Sequence, residues 1–124
     1  MSTGARAFIE YRETPMSGSA YRDCALRLYC TQLEALQLYD LTGLQGADPA
    51  YEVTDLSSTP REEYERLKND IVITRVLKLE PGPALAAACA EWKGRNPLTA
   101  RVRAAVAALE SLGDGARLVF FLTI

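Results

Sequence analysis

The 124-residue sequence contains no histidine. Histidine is the commonest side-chain metal ligand and the usual acid or base of serine and cysteine hydrolases. Its absence excludes Ser-His-Asp and Cys-His catalysis, HExxH zinc sites and the facial triad of non-haem iron. The phosphate-binding patterns GxxxxGKS/T and GxGxxG are also missing. We therefore expect no metal and no cofactor.

Cysteines and long apolar runs are scarce as well. The three cysteines, Cys24, Cys30 and Cys89, are odd in number and lack CxxC spacing, which disfavours a disulfide framework and a thiolate zinc site. The longest apolar run covers residues 84–90, far short of the roughly 20 residues that cross a bilayer. Residues 1–6 have no apolar signal-peptide core. These absences predict a cytoplasmic protein that does not associate with membranes.

The composition is that of an ordinary globular domain, with 48% hydrophobic and 24% charged residues. A chain of this length buries roughly two thirds of its unfolded surface, so we expect residues 1–124 to form a single domain. The net charge of −2 is uneven: residues 1–30 carry four basic and three acidic groups (+1), residues 31–70 three and nine (−6), and residues 71–124 seven and four (+3). With this balance, nucleic acid is not an expected partner.

The first elements are predicted from the spacing of apolar residues. Residues 5–13 alternate between apolar and charged side chains, the period of a strand with one face in a core. Residues 20–41 place tyrosines, leucines and alanines on one broad arc at about 100° per residue, which predicts a long helix. That arc is wider than one sheet face requires, so we expect part of it to contact another helix or another subunit. Residues 51–56 alternate again and predict a short strand.

A helix start and a strand follow. Thr59, Pro60 and Glu62 have the spacing of a capping box with proline at the first helical position, which predicts a short helix to about Asn69. Residues 71–80 are rich in β-branched side chains on both faces and predict an interior strand.

Two helices and a last strand complete the chain. Residues 84–93 have helical spacing, and Asn96 with Pro97 predicts the start of a second helix that runs to about Leu112. Residues 116–124 are apolar on both faces and predict a central strand.

Together these elements predict an α+β fold, a small two-layer sandwich with an antiparallel or mixed four-stranded sheet and helices on one face. When the short helix is left out and residues 84–112 count as one helical element, the order is βαββαβ, as in a ferredoxin-like sandwich. This is a fold-level analogy and does not select a function.

Glu10, Tyr11 and Arg75 form the candidate catalytic set. Arg75 shares its strand alternation with apolar residues, so a buried guanidinium there would need a carboxylate, and Glu10 is the predicted partner. A carboxylate and a tyrosine can transfer protons without histidine if burial raises the carboxylate pKa. The competing interpretation is an open sheet face, on which Arg75 covers apolar surface and Glu10 alternates with arginine for solubility.

Tyrosines define a second candidate surface. Six tyrosines outnumber three phenylalanines, and three of the tyrosines fall on the predicted first helix. A tyrosine ring with a polar tip suits subunit interfaces and pocket walls. The candidate interface or ligand surface consists of Tyr21, Tyr29, Leu33, Leu36 and Tyr39. The alternative places these rings at the edge of the core with their hydroxyl groups in water.

Arginines near the predicted junction of the last two helices are candidate anion ligands. They are Arg95, Arg101 and Arg103. The predicted helix start at Asn96 and Pro97 would present free amides to an anion. A solvated basic face is the alternative interpretation.

The leading hypothesis is a small interaction domain without a catalytic role, which binds a protein partner or a second copy of itself through the tyrosine-rich face or the sheet. The alternative is a cofactor-free small-ligand binder or enzyme with a pocket between sheet and helices, so enzymatic activity stays open. A second alternative is an acidic inhibitor or immunity-type protein whose middle segment docks on a basic target.

Overall fold

The computed structural model describes residues 4–12, 21–46, 53, 55–70 and 73–123, with the backbone alone at 23–26 and 74. In chain order the elements are β1 (Gly4–Tyr11), β2 (Arg22–Cys30), α1 (Gln32–Leu44), α2 (Ser58–Leu67), β3 (Ile73–Leu79), α3 (Pro83–Ala90), α4 (Ala100–Leu112) and β4 (Ala116–Thr123). The described elements form an α+β fold.

The four strands make one antiparallel sheet in the order β2-β1-β4-β3. This confirms the predicted four-stranded sheet and the central position of the last strand. The prediction of an interior position for β3 is wrong, because β3 lies at one edge. Strand β3 has apolar side chains on both sides because both faces of the sheet are covered. The backbone carbonyl of Val76 on β3 accepts the amide of Val53 at 3.1 Å.

The first face of the sheet is covered by α1, α3 and α4. Leu41, Leu85 and Leu109, one from each helix, are buried in a core that includes Ile9 and Phe120 of the central strands. Burial of such side chains is the main source of stability in a domain of this size.

The second face is covered by α2 and the residues that precede it. Leu56 and Leu67 pack against Phe8, Val119 and Phe121, and the rings of Phe8 and Phe121 lie 5.4 Å apart. The sequence predicts helices on one face of the sheet, and one of its two interpretations leaves the charged side of β1 open to solvent. Helix α2 covers that side instead, because apolar side chains of β1 and β4 extend in this direction as well as toward the first face.

The helix predicted over residues 20–41 is wrong in its first half. Residues 22–30 form β2, and the helix begins only at Gln32. The division falls at Thr31, whose hydroxyl accepts the amide of Glu34 at 3.3 Å, while the carboxylate of Glu34 accepts the amide of Thr31 at 2.9 Å. This reciprocal pair is a capping box, which satisfies two free amides at a helix start.

The ferredoxin-like order is not confirmed. Among the described residues, the element that comes after β1 is β2, so the described chain order is ββααβααβ. The tyrosine- and leucine-rich residues 21–41, predicted as one helix, belong in part to the edge strand β2 and in part to α1.

Helix α2 starts two residues before its predicted capping box. Its N-cap is Ser57, which places Pro60 at the third helical position. Of the strand predicted over residues 51–56, residues 51, 52 and 54 lie outside the described residues, and the other three belong to no strand. Helix α4 also starts later than predicted, since its N-cap is Thr99 and not Asn96.

Candidate functional site

Glu10 and Arg117 form a buried ion pair on the second face of the sheet. They are direct cross-strand neighbours on β1 and β4, and Arg117 Nε donates to Glu10 Oε1 at 2.8 Å. Their side chains are 0% and 2% exposed, respectively. The second oxygen, Glu10 Oε2, accepts the backbone amide of Ser57 at 2.6 Å. Both carboxylate oxygens of Glu10 are therefore occupied by donors from the protein.

The other donors of Arg117 bind Asp55. Nη1 donates to Asp55 Oδ1 and Nη2 to the Asp55 carbonyl, both at 3.0 Å. Burial lowers the pKa of Arg117, but the carboxylates of Glu10 and Asp55 outweigh burial and raise that pKa above its usual value. Burial alone would raise the pKa of Asp55, whereas the hydrogen bond and charge of Arg117 hold it below its usual value. Glu10, Arg117, Asp55 and the Ser57 amide form what we call the buried polar cluster, in which Glu10 and Arg117 are shielded from solvent and the Asp55 side chain is 63% exposed. The cluster connects the segment before α2 to the sheet.

Tyr21 stacks on the buried polar cluster. The guanidinium carbons of Arg117 and Arg12 lie 3.6 and 4.5 Å from the centroid of its ring, both within the range of cation–π attraction. Within the described part of the chain, Arg12 Nε and Ser57 Oγ are buried without a hydrogen-bond partner. For Ser57 the cause is local, because an N-cap hydroxyl commonly accepts the third amide of the helix and Pro60 has no amide there.

The structure does not assemble Glu10, Tyr11 and Arg75. Tyr11 packs on the core of the first face, on the opposite side of the sheet from Glu10. Arg75 is paired in register with Leu122, which also packs on the first-face core, so Arg75 is half-buried at the sheet edge and directed away from Glu10. The partner of Glu10 is Arg117 and not the predicted Arg75.

A sequence signal for Arg117 exists. Arg117 alternates with Val119 and Phe121 on a strongly apolar strand, the same anomaly that singles out Arg75. A buried partner is therefore expected for either arginine. Which arginine meets Glu10 depends on the register of β1 against β4, and no local pattern encodes that register.

The outward face of α1 is apolar. It consists of Leu33, Leu36, Tyr39 and Leu44, which remain 40%, 48%, 38% and 53% exposed. At about 100° per residue, the four positions fall within an arc of about 140° on one side of the helix. The first three belong to the surface predicted from the sequence, and Leu44 extends it by one turn.

The inward side of α1 carries polar residues among the apolar Ala35, Leu38 and Leu41. Glu34, Gln37 and Thr42 are buried there. Gln37 Nε2 donates to the carbonyl of Pro97 and Gln37 Oε1 accepts the amide of Thr99, both at 3.0 Å. Glu34 Oε2 accepts the hydroxyl of Thr99 at 3.3 Å, and the Thr42 hydroxyl bonds to the helix backbone. Each inward polar group thus serves a partner within this chain, whereas the apolar outward face has no such explanation.

The outward face of α1 continues into a groove of about 720 Å³. The groove is lined by Tyr39, Asp40, Gly43 and Leu44 of α1 and by Glu91, Trp92, Lys93 and Gly94 after α3. Trp92 Nε1 donates to the carbonyl of Asn96 at 2.8 Å. A Cβ on Gly94 would lie 2.3 Å from Cζ2 of Trp92, so only glycine permits this close approach. The groove therefore has a fixed aromatic wall and charges of both signs.

Tyr21 and Tyr29 do not lie on α1. Tyr29 is opposite Arg6 in the pairing of β2 with β1, and the Arg6 guanidinium is 4.4 Å from its ring. Arg6 alternates with Ala7, which belongs to the first-face core, so the Tyr29 ring is directed to the second face. The predicted tyrosine-rich surface is thus divided between α1 and the opposite face of the sheet.

Arg95, Arg101 and Arg103 do not converge on one anion site. Arg101 Nη1 donates to the carbonyl of Tyr29 at 3.0 Å, and its Nε lies 4.0 Å from Glu34 Oε2. Arg103 follows two residues later on α4, about 200° around the helix, and Arg95 lies in the exposed segment ahead of it. Arg101 therefore connects α4 to β2 through its hydrogen bond to the Tyr29 carbonyl.

The Cys30 thiol is not activated. Burial and the charge of Glu34 raise the pKa of Cys30 to about 11, and Arg101 opposes both. A thiol with this pKa is protonated near neutral pH and is a poor nucleophile.

The acidic middle of the chain is partly neutralised by its own neighbours. Glu63 pairs with Arg66, and Glu65 pairs with Lys68 at 2.5 Å on α2. Asp55 is bound by Arg117 as described above. Arg66 and Lys68 are already counted in the net −6, whereas Arg117 at Asp55 and Arg101 at Glu34 are cations from outside the segment that reduce its charge.

Two absences apply to the described residues. No group of three or more of their cysteine, aspartate and glutamate side chains is arranged to hold a metal ion, and none of their helices is long and apolar enough to cross a membrane. Comparison of the chain with protein-family models, with curated proteins and with solved structures finds no match.

Proposed function

We propose that this protein is an interaction domain that self-associates through the outward face of α1. One observation carries the proposal: besides Ala35, Leu38 and Leu41, which are buried, α1 has a second apolar row that is exposed to solvent, formed by Leu33, Leu36, Tyr39 and Leu44. A surface helix normally has one apolar side toward the core and a polar side toward solvent. Single exposed apolar residues need no explanation, but a contiguous apolar patch is typical of a contact surface.

A second copy of the chain is the partner that suits this surface. The groove beside the outward face carries two acidic residues, Asp40 and Glu91, and one basic residue, Lys93. In a two-fold dimer the same patch faces itself, so opposite charges of one patch can meet across the axis. A strongly acidic or strongly basic partner would leave charges of one sign unpaired.

The expected dimer is of modest strength. Full burial of a leucine contributes about 1.5–3 kcal/mol, and the outward side chains of α1 are already about half covered in the single chain. Association costs at least about 4 kcal/mol in lost translation and rotation. The two copies together would bury eight such side chains, worth about 6–12 kcal/mol, so about 2–8 kcal/mol remains and we expect a dissociation constant no tighter than about 1 µM.

Light scattering after size-exclusion chromatography, over loading concentrations from about 1 to about 300 µM, tests the proposal. We expect the wild-type chain to pass from monomer to dimer. Leu36→Lys places a charge in the middle of the outward face and should remain monomeric throughout. Leu112→Lys is the matched control, because Leu112 is similarly exposed, at 46%, but lies on α4. This control should dimerise like the wild type.

Tryptophan emission gives a second measurement. Trp92 is the single tryptophan and lines the groove beside the outward face. Its emission maximum should change on dilution of the wild type and of Leu112→Lys, and it should stay constant for Leu36→Lys. A wild-type chain that is still monomeric at about 300 µM contradicts the proposal. Equal loss of dimer in both leucine variants contradicts it as well.

A further inference from the structure

A cavity of about 320 Å³ lies between the first face of the sheet and α4. Its floor consists of Ala7 and Ile9 of β1 and Leu118 of β4, all of them buried. Leu28 of β2 forms one side and is half-buried. The cavity thus opens toward the β2 edge of the sheet, away from the outward face of α1.

The roof of the cavity is a set of small side chains on α4. They are Ala104, Ala105 and Ala108. Helix α4 packs against β4 and α1, and its alanines are too short to reach Leu28 on the neighbouring edge strand. Protein interiors are close-packed, with few voids larger than a water molecule. An apolar lining also offers water few hydrogen-bond partners, so the space suits an apolar occupant.

The charged residues among the described lining are both arginines, Arg27 and Arg101. The Arg27 guanidinium lies 5.9 Å from the ring centroid of Phe8, toward the second face. Arg101 is at the cavity itself, with its side chain 62% exposed; its Nη1 donates to the Tyr29 carbonyl, and its Nε lies 4.0 Å from Glu34 Oε2. Guanidinium donors that these two contacts do not use can meet a carboxylate at the opening.

We propose that this cavity binds a small amphiphile with an unbranched apolar chain and a terminal carboxylate, the chain lying between the sheet and α4 and the carboxylate meeting Arg101. Ligand sites of this kind are mostly apolar with one or two polar groups that fix orientation. The volume corresponds to a medium-chain acid of about eight to ten carbons. The proposal does not depend on self-association, since no residue of the outward face of α1 lines the cavity.

Isothermal titration with decanoate, decanol and decylammonium tests the proposal. We expect decanoate to bind with a micromolar dissociation constant, decanol about tenfold more weakly, and decylammonium more weakly still. Arg101→Gln should weaken decanoate by about tenfold and leave decanol within about twofold. Arg103→Gln, an exposed arginine two residues along α4 that does not line the cavity, should behave as the wild type.

Filling the cavity is the second arm of the test. Ala108→Leu projects into the cavity and should reduce decanoate affinity by at least about tenfold. Ala107→Leu makes the same change at an exposed position of α4 outside the lining and should retain affinity. Ala104→Leu, at the more exposed part of the roof, repeats the test if Ala108→Leu loses its far-ultraviolet helical signal.

Three results would overturn the proposal. The first is the absence of saturable decanoate binding below about 1 mM. The second is equal loss of affinity in Ala107→Leu and Ala108→Leu. The third is equal affinity for decanoate and decylammonium, which would remove the role of Arg101.

Discussion

The pairing of Glu10 with Arg117 determines how much a substitution of either residue lowers the free energy of unfolding. A buried charge is tolerated when its partner and hydrogen bonds offset its desolvation, and loss of the partner leaves that charge uncompensated. Glu10 receives the Arg117 guanidinium and the Ser57 amide, and neither carboxylate oxygen reaches water. Exposed pairs such as Glu65 with Lys68 are screened by solvent and contribute little.

Arg117→Met should lower the free energy of unfolding by about 3–5 kcal/mol, because Glu10 is left charged and buried. Urea denaturation measures the change. The double variant Glu10→Leu/Arg117→Met should recover part of the loss, since no charge is then buried without a partner, while the Ser57 amide loses its acceptor at a cost of about 1–3 kcal/mol. Lys68→Met, which breaks an exposed pair, is the control and should leave the midpoint nearly unchanged. A similar small effect for Arg117→Met would show that the pair is not isolated from solvent.

At the scale of residues, the sequence predicts that an arginine in an apolar strand needs a carboxylate and that Glu10 supplies it. Local alternation treats Arg75 and Arg117 alike, so it offers no basis for choosing between them. The difference is positional, because Arg117 is on a central strand beside Glu10 and Arg75 is on an edge strand. Strand order arises from contacts distant in sequence, which a single chain pattern does not display.

The boundary between β2 and α1 is the element-scale feature that the sequence analysis missed. Residues 21–29 fall on the same apolar arc as the helix that follows, so period alone does not separate strand from helix in a stretch this short. A local signal for the start of the helix is nonetheless present in the sequence, because Thr31 and Glu34 have the spacing of a capping box. The later elements are better predicted, as the observed β4 differs from its predicted range only at residue 124, which lies outside the described residues.

Thr31→Ala should destabilise the protein by about 1 kcal/mol, because the Glu34 amide loses its side-chain acceptor at the start of α1. Chemical denaturation followed by far-ultraviolet circular dichroism measures the effect. Thr31→Ser keeps the hydroxyl and is the matched control, so it should stay close to the wild type. If Thr31→Ala and Thr31→Ser are equally stable, the capping bond does not define the boundary.

For the whole molecule, the unexpected feature is that the sheet is covered on both faces. The sequence contains the apolar residues of the second face, Phe8, Val119 and Phe121, and it contains the short helix that covers them. The sequence does not show on which face of the sheet α2 packs, because the residues that connect α2 to the strands have no apolar periodicity from which their path could be predicted. The buried polar cluster fixes that direction by binding residues 55 and 57 to the central strands.

Acid should therefore loosen the second-face layer selectively. The folded-state pKa of Asp55 is lower than its usual value because of Arg117, so its contribution is fully present above the unfolded pKa, near about 4, and is lost as pH falls through the lower folded pKa. The urea midpoint of the wild type should fall more between about pH 6 and about pH 3 than that of Asp55→Asn, which has no carboxylate to protonate. Asp114→Asn changes an exposed acid in the turn before β4 and should keep the wild-type slope. Equal pH slopes for Asp55→Asn and the wild type would mean that the Arg117 contact does not couple this carboxylate to folding.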